Sequence, residues 1–180
     1  MIIMINGAFG AGKTTLANSL CKELPGSMIF DPEEVGYMLR NVIPEERKRL
    51  EAPEGDFQDL DLWRDLTVEV GGRLFERYRT DLIVPMTIRK QEYLTAITEG
   101  FKQKGQEVMH FCLMASKETI HERLRSRGEE EGNWCFMQTD ACLLAYETGE
   151  FDIYLETEGK TIEELTSVIV GTVQKQTSKG

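Results

Sequence analysis

Lys13 and Thr14 close the octapeptide Gly7-Ala8-Phe9-Gly10-Ala11-Gly12-Lys13-Thr14, whose spacing is that of a phosphate-binding P-loop. Small residues let the backbone of Gly7, Phe9, Gly10, Ala11 and Gly12 curl so that its N–H groups point at phosphate oxygens. Lys13 can bridge the β- and γ-phosphates of a nucleoside triphosphate as a point charge. The Thr14 hydroxyl is a Mg²⁺ ligand in this pattern, and Thr15 can assist at the α-phosphate. Average residue usage makes a chance match in roughly one such chain per hundred. Here the loop also lies between the apolar run Met1-Ile2-Ile3-Met4-Ile5 and the helically spaced Leu16, Leu20 and Leu24. That strand–loop–helix setting adds the positive end of a helix to the cradle.

A second group of residues has chemistry to offer around the loop. Asp31, in Phe30-Asp31-Pro32-Glu33-Glu34, falls at the carboxyl end of an expected strand, the side of a parallel sheet that faces the ligand crevice. Its carboxylate can take a hydroxyl proton or hold Mg²⁺ through water. The same pentapeptide is a good helix start with Asp31 as N-cap, and both readings stay open. Arg40, Arg64 and Arg89 can clamp an anionic or planar substrate group, and are equally ordinary ion-pair residues. Trp63 offers a stacking face or a core side chain, and Thr87 a hydroxyl for a metal-bound water. Arg123 and Arg127 share one helix face just before a glutamate-rich stretch, where they can close over adenine and phosphates or form a solvated basic face. Thr157 and Gly159 follow the last expected strand, at a place suited to lining an adenine. Lys13, Asp31 and Arg127 are thus the catalytic candidates, with Thr14 and Asp31 the metal candidates. The third strand lacks the Asp that commonly supports the metal in such proteins, and residues 128–159 contain no Lys or Arg.

Alternating apolar runs and helical patches must position these groups. Strands are expected at 2–6, 28–31, 82–86, 108–113 and 153–155. Helices are expected at 13–24, 33–42, 57–79, 91–104, 117–127, 134–147 and 162–175. The alternation predicts an α/β chain with a three-layer P-loop NTPase fold: a five-stranded parallel sheet, helices on both faces and a kinase-like lid. One domain over 1–180 is expected, with a substrate arm near 32–80 and the lid near 124–140. The charged segments 43–56 and 128–133 read as loops. With 29% charged residues and a net charge of −10, the chain suits a soluble cytoplasmic protein and counts against a nucleic-acid surface. No run is long enough to cross a membrane, and the N-terminal run lacks the basic start and cleavage site expected of a signal peptide. Four cysteines without a C-x-x-C pair, beside two histidines, argue against a zinc site.

Longer strings are more specific than the glycine loop. They are Met1-Ile2-Ile3 leading into Asn6-Gly7-Ala8-Phe9-Gly10, Asp31-Pro32-Glu33 with Gly36 and Leu39-Arg40, and Leu62-Trp63-Arg64. Ile83-Val84-Pro85-Met86-Thr87-Ile88 and Leu113-Met114-Ala115-Ser116-Lys117-Glu118-Thr119 follow, ending in Arg123-Leu124-Arg125. Together, to about residue 145, they resemble the bacterial tunicamycin-resistance protein family. The resemblance implies a fold like that of nucleoside monophosphate, gluconate and shikimate kinases. It implies ATP at residues 7–15, a substrate crevice near Asp31, Arg40, Arg64 and Thr87, and protection against tunicamycin, a uridine-containing nucleoside antibiotic. Two features depart from the family pattern. This chain ends at Gly180 without the longer tail associated with membrane binding, which predicts no stable membrane anchor, and the second arm of its lid, within residues 128–159, has no Lys or Arg. The functions in play are an ATP- and Mg²⁺-dependent kinase acting on tunicamycin or another nucleoside- or sugar-like hydroxyl compound, an ATP-dependent protein that sequesters the drug, and a kinase of a common metabolite or nucleotide. A monomer or a homodimer is expected.

Overall fold

Five apolar residues in a row at the N-terminus need cover on both faces of any strand they form. In the computed structural model, which describes residues 1–178, they receive it. The strands β1 (Ile2–Gly7), β2 (Met28–Ile29), β3 (Leu82–Met86), β4 (Val108–Met114) and β5 (Ile153–Glu156) form one parallel sheet in the order β2-β3-β1-β4-β5. The helices are α1 (Lys13–Glu23), α2 (Pro32–Val42), α3 (Glu45–Glu51), α4 (Asp61–Tyr78), α5 (Gln91–Gln103), α6 (Lys117–Ser126), α7 (Trp134–Thr148) and α8 (Ile162–Thr177). Ile3 and Ile5 share a core with Leu16 and Leu20 of α1 and with Leu165 and Ile169 of α8. Ile2 and Met4 point into the opposite layer, with Trp63 of α4, Ile97 and Phe101 of α5, and Tyr146 of α7. Each such side chain taken fully from water contributes about 1.5–3 kcal/mol before entropy is counted. The three-layer α/β fold with helices on both faces is therefore as expected. β1 lies between β3 and β4, so the strand order reverses at its carboxyl end, where the glycine loop begins.

Three boundaries differ from expectation, each for a local reason. β2 stops at Ile29 because Asp31 turns away to cap α2 and Pro32 has no N–H to give a ladder. The expected loop at 43–56 contains α3, whose Glu45 and Glu46 open the helix and whose Lys48 and Arg49 close it. That charge order complements the helix dipole, and the Lys48–Glu45 pair at 2.8 Å adds an i,i+3 contact. The expected helix at 57–79 is interrupted at Leu60, whose extended backbone (ψ 119°) separates a 3-10 turn at Phe57–Asp59 from α4. Among the described residues no helix is long and apolar enough to cross a membrane.

Candidate functional site

The site starts from a buried asparagine. Asn6 Oδ1 accepts from the N–H groups of Gly7 (2.9 Å) and Ile88 (2.8 Å) and from the Tyr146 hydroxyl (3.3 Å). Its Nδ2 donates to Ile88 O at 2.9 Å. One side chain thus ties the start of the glycine loop to the exit of β3 and to α7. Beyond it, Gly10 (φ 85°) packs so tightly on α6 that a Cβ would lie 3.0 Å from Ile120 O. Gly12 (φ 100°) begins α1 in the left-handed region, which a side chain rarely adopts. α1 has neither a side-chain cap nor an acid in its first turn, so its leading N–H groups are left for an anion. Lys13 Nζ folds back onto Gly7 O and Ala8 O, 2.9 Å from each, and lies 5.5 Å from the centre of the Phe9 ring. Burial pushes its pKa down to about 8, against the opposing pull of Glu33.

Two clefts meet over this loop. The first, of about 160 Å³, is lined by Gly10, Gly12, Lys13 and Thr14 on one side and by Asp31, Glu33, Arg127 and Glu129 on the other. Asp31 Oδ1 accepts from the Glu33 N–H at 2.9 Å, so its N-cap reading holds, and its side chain still faces this cleft. Among the described residues no group of three His, Cys, Asp or Glu could hold a metal unaided. The donors present, a Thr14 hydroxyl and the Asp31 carboxylate, fit Mg²⁺, which takes most of its ligands from phosphates and water. The second cleft, of about 210 Å³, has Tyr37, Arg40 and Phe57 on one wall. Thr87 and Arg89 lie at the exit of β3, and Trp134 and Gln138 stand on α7. Among the described residues Phe9, Glu33 and Cys135 line both clefts. Burial, and then the nearby Asp31, raise the Glu33 carboxyl above its ordinary range, and Tyr37 donates to its Oε2 at 3.3 Å.

The candidates read from the sequence thus divide. Phe9, Gly10, Gly12, Lys13, Thr14, Asp31 and Arg127 gather at the first cleft, and Arg40, Thr87 and Arg89 at the second. Gly7 and Ala11 are buried in the loop's support, and Thr15 and Gly159 are exposed and line neither cleft. Two substrate candidates lie elsewhere. Trp63 is 1% exposed and donates its indole N–H to Pro32 O, so it is core. Arg64 stacks over Tyr93 at 4.2 Å, donates to Gln58 O at 2.6 Å and faces the α4–α5 groove instead. Arg123 donates to Thr157 Oγ1 (3.0 Å), Thr157 O (3.3 Å) and Ala11 O (3.4 Å), joining α6, the β5–α8 loop and the glycine loop. The Thr157 hydroxyl is committed to that contact. Glu33, Cys135 and Gln138 were not found by sequence reasoning. Glu33 stands in the same Asp-Pro-Glu-Glu as Asp31, and Gln138 is one helical turn from Trp134, but neither sits in a motif with a chemical signature.

The chain matches the family model described as an AAA domain over residues 2–142. Among curated proteins, no sequence matches it. Its structure is similar to that of the tunicamycin resistance protein of Deinococcus radiodurans, with a TM-score of 0.77 and 31% identity over 96% of this chain and 94% of that one. A sugar kinase from Janibacter superposes with a TM-score of 0.67 at 20% identity, covering 96% of this chain and 94% of its own. The APS kinase of Mycobacterium tuberculosis, in complex with AMPPNP and APS, gives 0.65 at 11% identity over 96% of both. The last two likenesses show a shared kinase-like fold.

Proposed function

The chain belongs to the AAA domain family and, along nearly its whole length, to the family of the tunicamycin resistance protein, and from that premise we propose that it is an ATP-binding small-molecule kinase. The observation that carries the proposal is the junction of the two clefts at Glu33, with Lys13 on one side and the Thr87 and Gln138 side chains on the other. The loop backbone, the start of α1 and Lys13 hold the phosphates of ATP. Thr14 and Asp31 support Mg²⁺, which offsets phosphate charge when bound. Glu33 takes the proton of an acceptor hydroxyl that reaches the junction from the second cleft. The hydroxyl oxygen bonds to the γ-phosphorus, and the electron pair of the broken P–O bond leaves on ADP. Lys13 and Arg127 stabilise the charge on the transferring group.

Incubation with ATP, Mg²⁺ and tunicamycin, read by mass spectrometry, tests this. A drug heavier by one phosphoryl group, absent with Lys13→Ala, is the expected result. Intact drug with ATP unconsumed would overturn tunicamycin as the acceptor. A second reading, ATP-dependent sequestration of the drug, is favoured by one observation: α7, which lines both clefts, brings no cation to them. Tight, stoichiometric recovery of unmodified drug in the presence of ATP would select it.

A further inference from the structure

We infer that the second cleft is built for an uncharged, single-ring acceptor that offers an N–H or O–H donor, read by Gln138 and Thr87. The inference rests on the acceptor-cleft assignment above and adds the class of acceptor. Two buried polar atoms carry it. Thr87 is 5% exposed and its Oγ1 has no hydrogen-bond partner among the described residues, and Gln138 Oε1 is buried in the same condition. Both residues belong to the lining of the cleft, and the two atoms lie just beneath its surface. A buried polar atom left unpaired costs roughly 1–3 kcal/mol, so two of them in one cavity mark places that a ligand satisfies. An amide oxygen accepts only, and the ligand group facing it must therefore donate.

The charges of the cleft balance and give an anion no net attraction. Its lining holds two cations, Arg40 and Arg89, and two anions, Glu33 and Asp56. Arg89 lies 3.8 Å from Asp56. Arg40 lies flat over Phe57 at 4.9 Å and donates to Gly55 O at 3.3 Å. A carboxylate or phosphate on the acceptor would find Arg89 already facing Asp56 and Arg40 held against Phe57, and its lone pairs would oppose Gln138 Oε1. Gln58 Nε2, donating to Thr87 O at 2.8 Å, fixes the floor on which the Thr87 hydroxyl stands. Phe9, Tyr37, Phe57 and Trp134 supply the apolar faces on which a ring lies. A volume of about 210 Å³ is below the range that encloses drug-sized ligands, so one ring of a larger acceptor enters.

The test is calorimetric titration of the whole chain, preloaded with a non-hydrolysable ATP analogue and Mg²⁺, against matched probes. These are uridine with orotidine, and N-acetylglucosamine with glucuronate. The neutral member of at least one pair should bind ten-fold or more tighter than its anionic counterpart. Gln138→Leu and Thr87→Val should each weaken that neutral probe by about ten-fold, while the melting temperature does not fall and affinity for the ATP analogue stays unchanged. An anion that binds as tightly as its neutral counterpart, full affinity in both variants, or no binding of any probe would overturn the inference. The kinase reading is judged separately by exchanging the analogue for ATP. A neutral probe bound but never phosphorylated overturns that reading alone, and a phosphorylated anionic acceptor overturns the acceptor class alone.

Discussion

At the scale of single residues, three ionisable groups at the cleft junction carry different loads. Asp31 caps α2 and faces the first cleft, whereas Glu33 reaches both clefts. Asn caps a helix as well as Asp does, so Asp31→Asn removes charge and keeps the fold. This variant should retain the wild-type melting temperature and need roughly ten-fold more Mg²⁺ for half-maximal turnover, seen in a metal titration. Glu33→Gln should instead lower kcat by about 10²–10⁴-fold at saturating Mg²⁺. If the order were reversed, with Asp31→Asn the more damaging at saturating metal, the proton would go to Asp31. Lys13 adds a pH dependence. Its pKa of about 8 in the ligand-free fold means that it is mostly charged below pH 8 and loses its proton as pH rises through that value. ATP affinity should fall steadily between pH 8 and 10. Within that window binding should take up protons, visible as a heat that depends on the buffer. An affinity flat to pH 10 would show that the lysine proton is not needed.

At the scale of elements, the unit to test is the clamp that Asn6 makes between β1, β3 and α7. Asn6→Leu strands the Gly7 and Ile88 N–H groups and the Tyr146 hydroxyl, all buried, and should cost about 2–5 kcal/mol, a fall in melting temperature of roughly 5–15 °C. Tyr146→Phe removes one donor and leaves Asn6 Oδ1 with its backbone partners, so it should cost only about 1 kcal/mol. Similar losses in the two variants would mean that ring packing, not the clamp, joins α7 to the sheet. These elements were unequally legible. β3 and α8 were readable because period and burial agree, with Leu165, Ile169 and Val173 of α8 all in the core. α3 was hidden because it buries nothing, and the apolar pattern that reveals a helix is missing when no face is covered. The break at Leu60 was hidden because Phe57, Leu60 and Trp63 keep helical spacing across it, all three being buried in one core.

At the scale of the whole molecule, the glycine loop and the strand–helix alternation carried the fold, since both are local patterns with one three-dimensional solution. The acceptor cleft was far less legible, because its walls come from residues 9, 33–40, 56–58, 87–89 and 134–138, brought together only by tertiary packing. Arg64 and Trp63 show the reverse error: motif-like in sequence, they sit on other faces of α4. His110, too, has a meaning only in the assembled molecule. It lies on β4, 1% exposed, with neither ring nitrogen hydrogen-bonded among the described residues and the Phe151 ring 5.8 Å away. Burial pushes its pKa down to about 4, although Asp152 at 3.8 Å pulls the other way. The unfolded chain takes up this proton near pH 6.5 and the folded chain only near 4, so stability present above pH 6.5 is lost as pH falls towards 4. The difference corresponds to roughly 3 kcal/mol over the window. His110→Leu keeps the bulk and removes the titration. Between pH 7 and 4.5 the wild-type protein should lose stability by roughly 2–3 kcal/mol more than this variant, measured by urea unfolding at both pH values. Parallel losses would place the acid sensitivity in the ion-paired carboxylates instead, such as Asp59 beside Lys90.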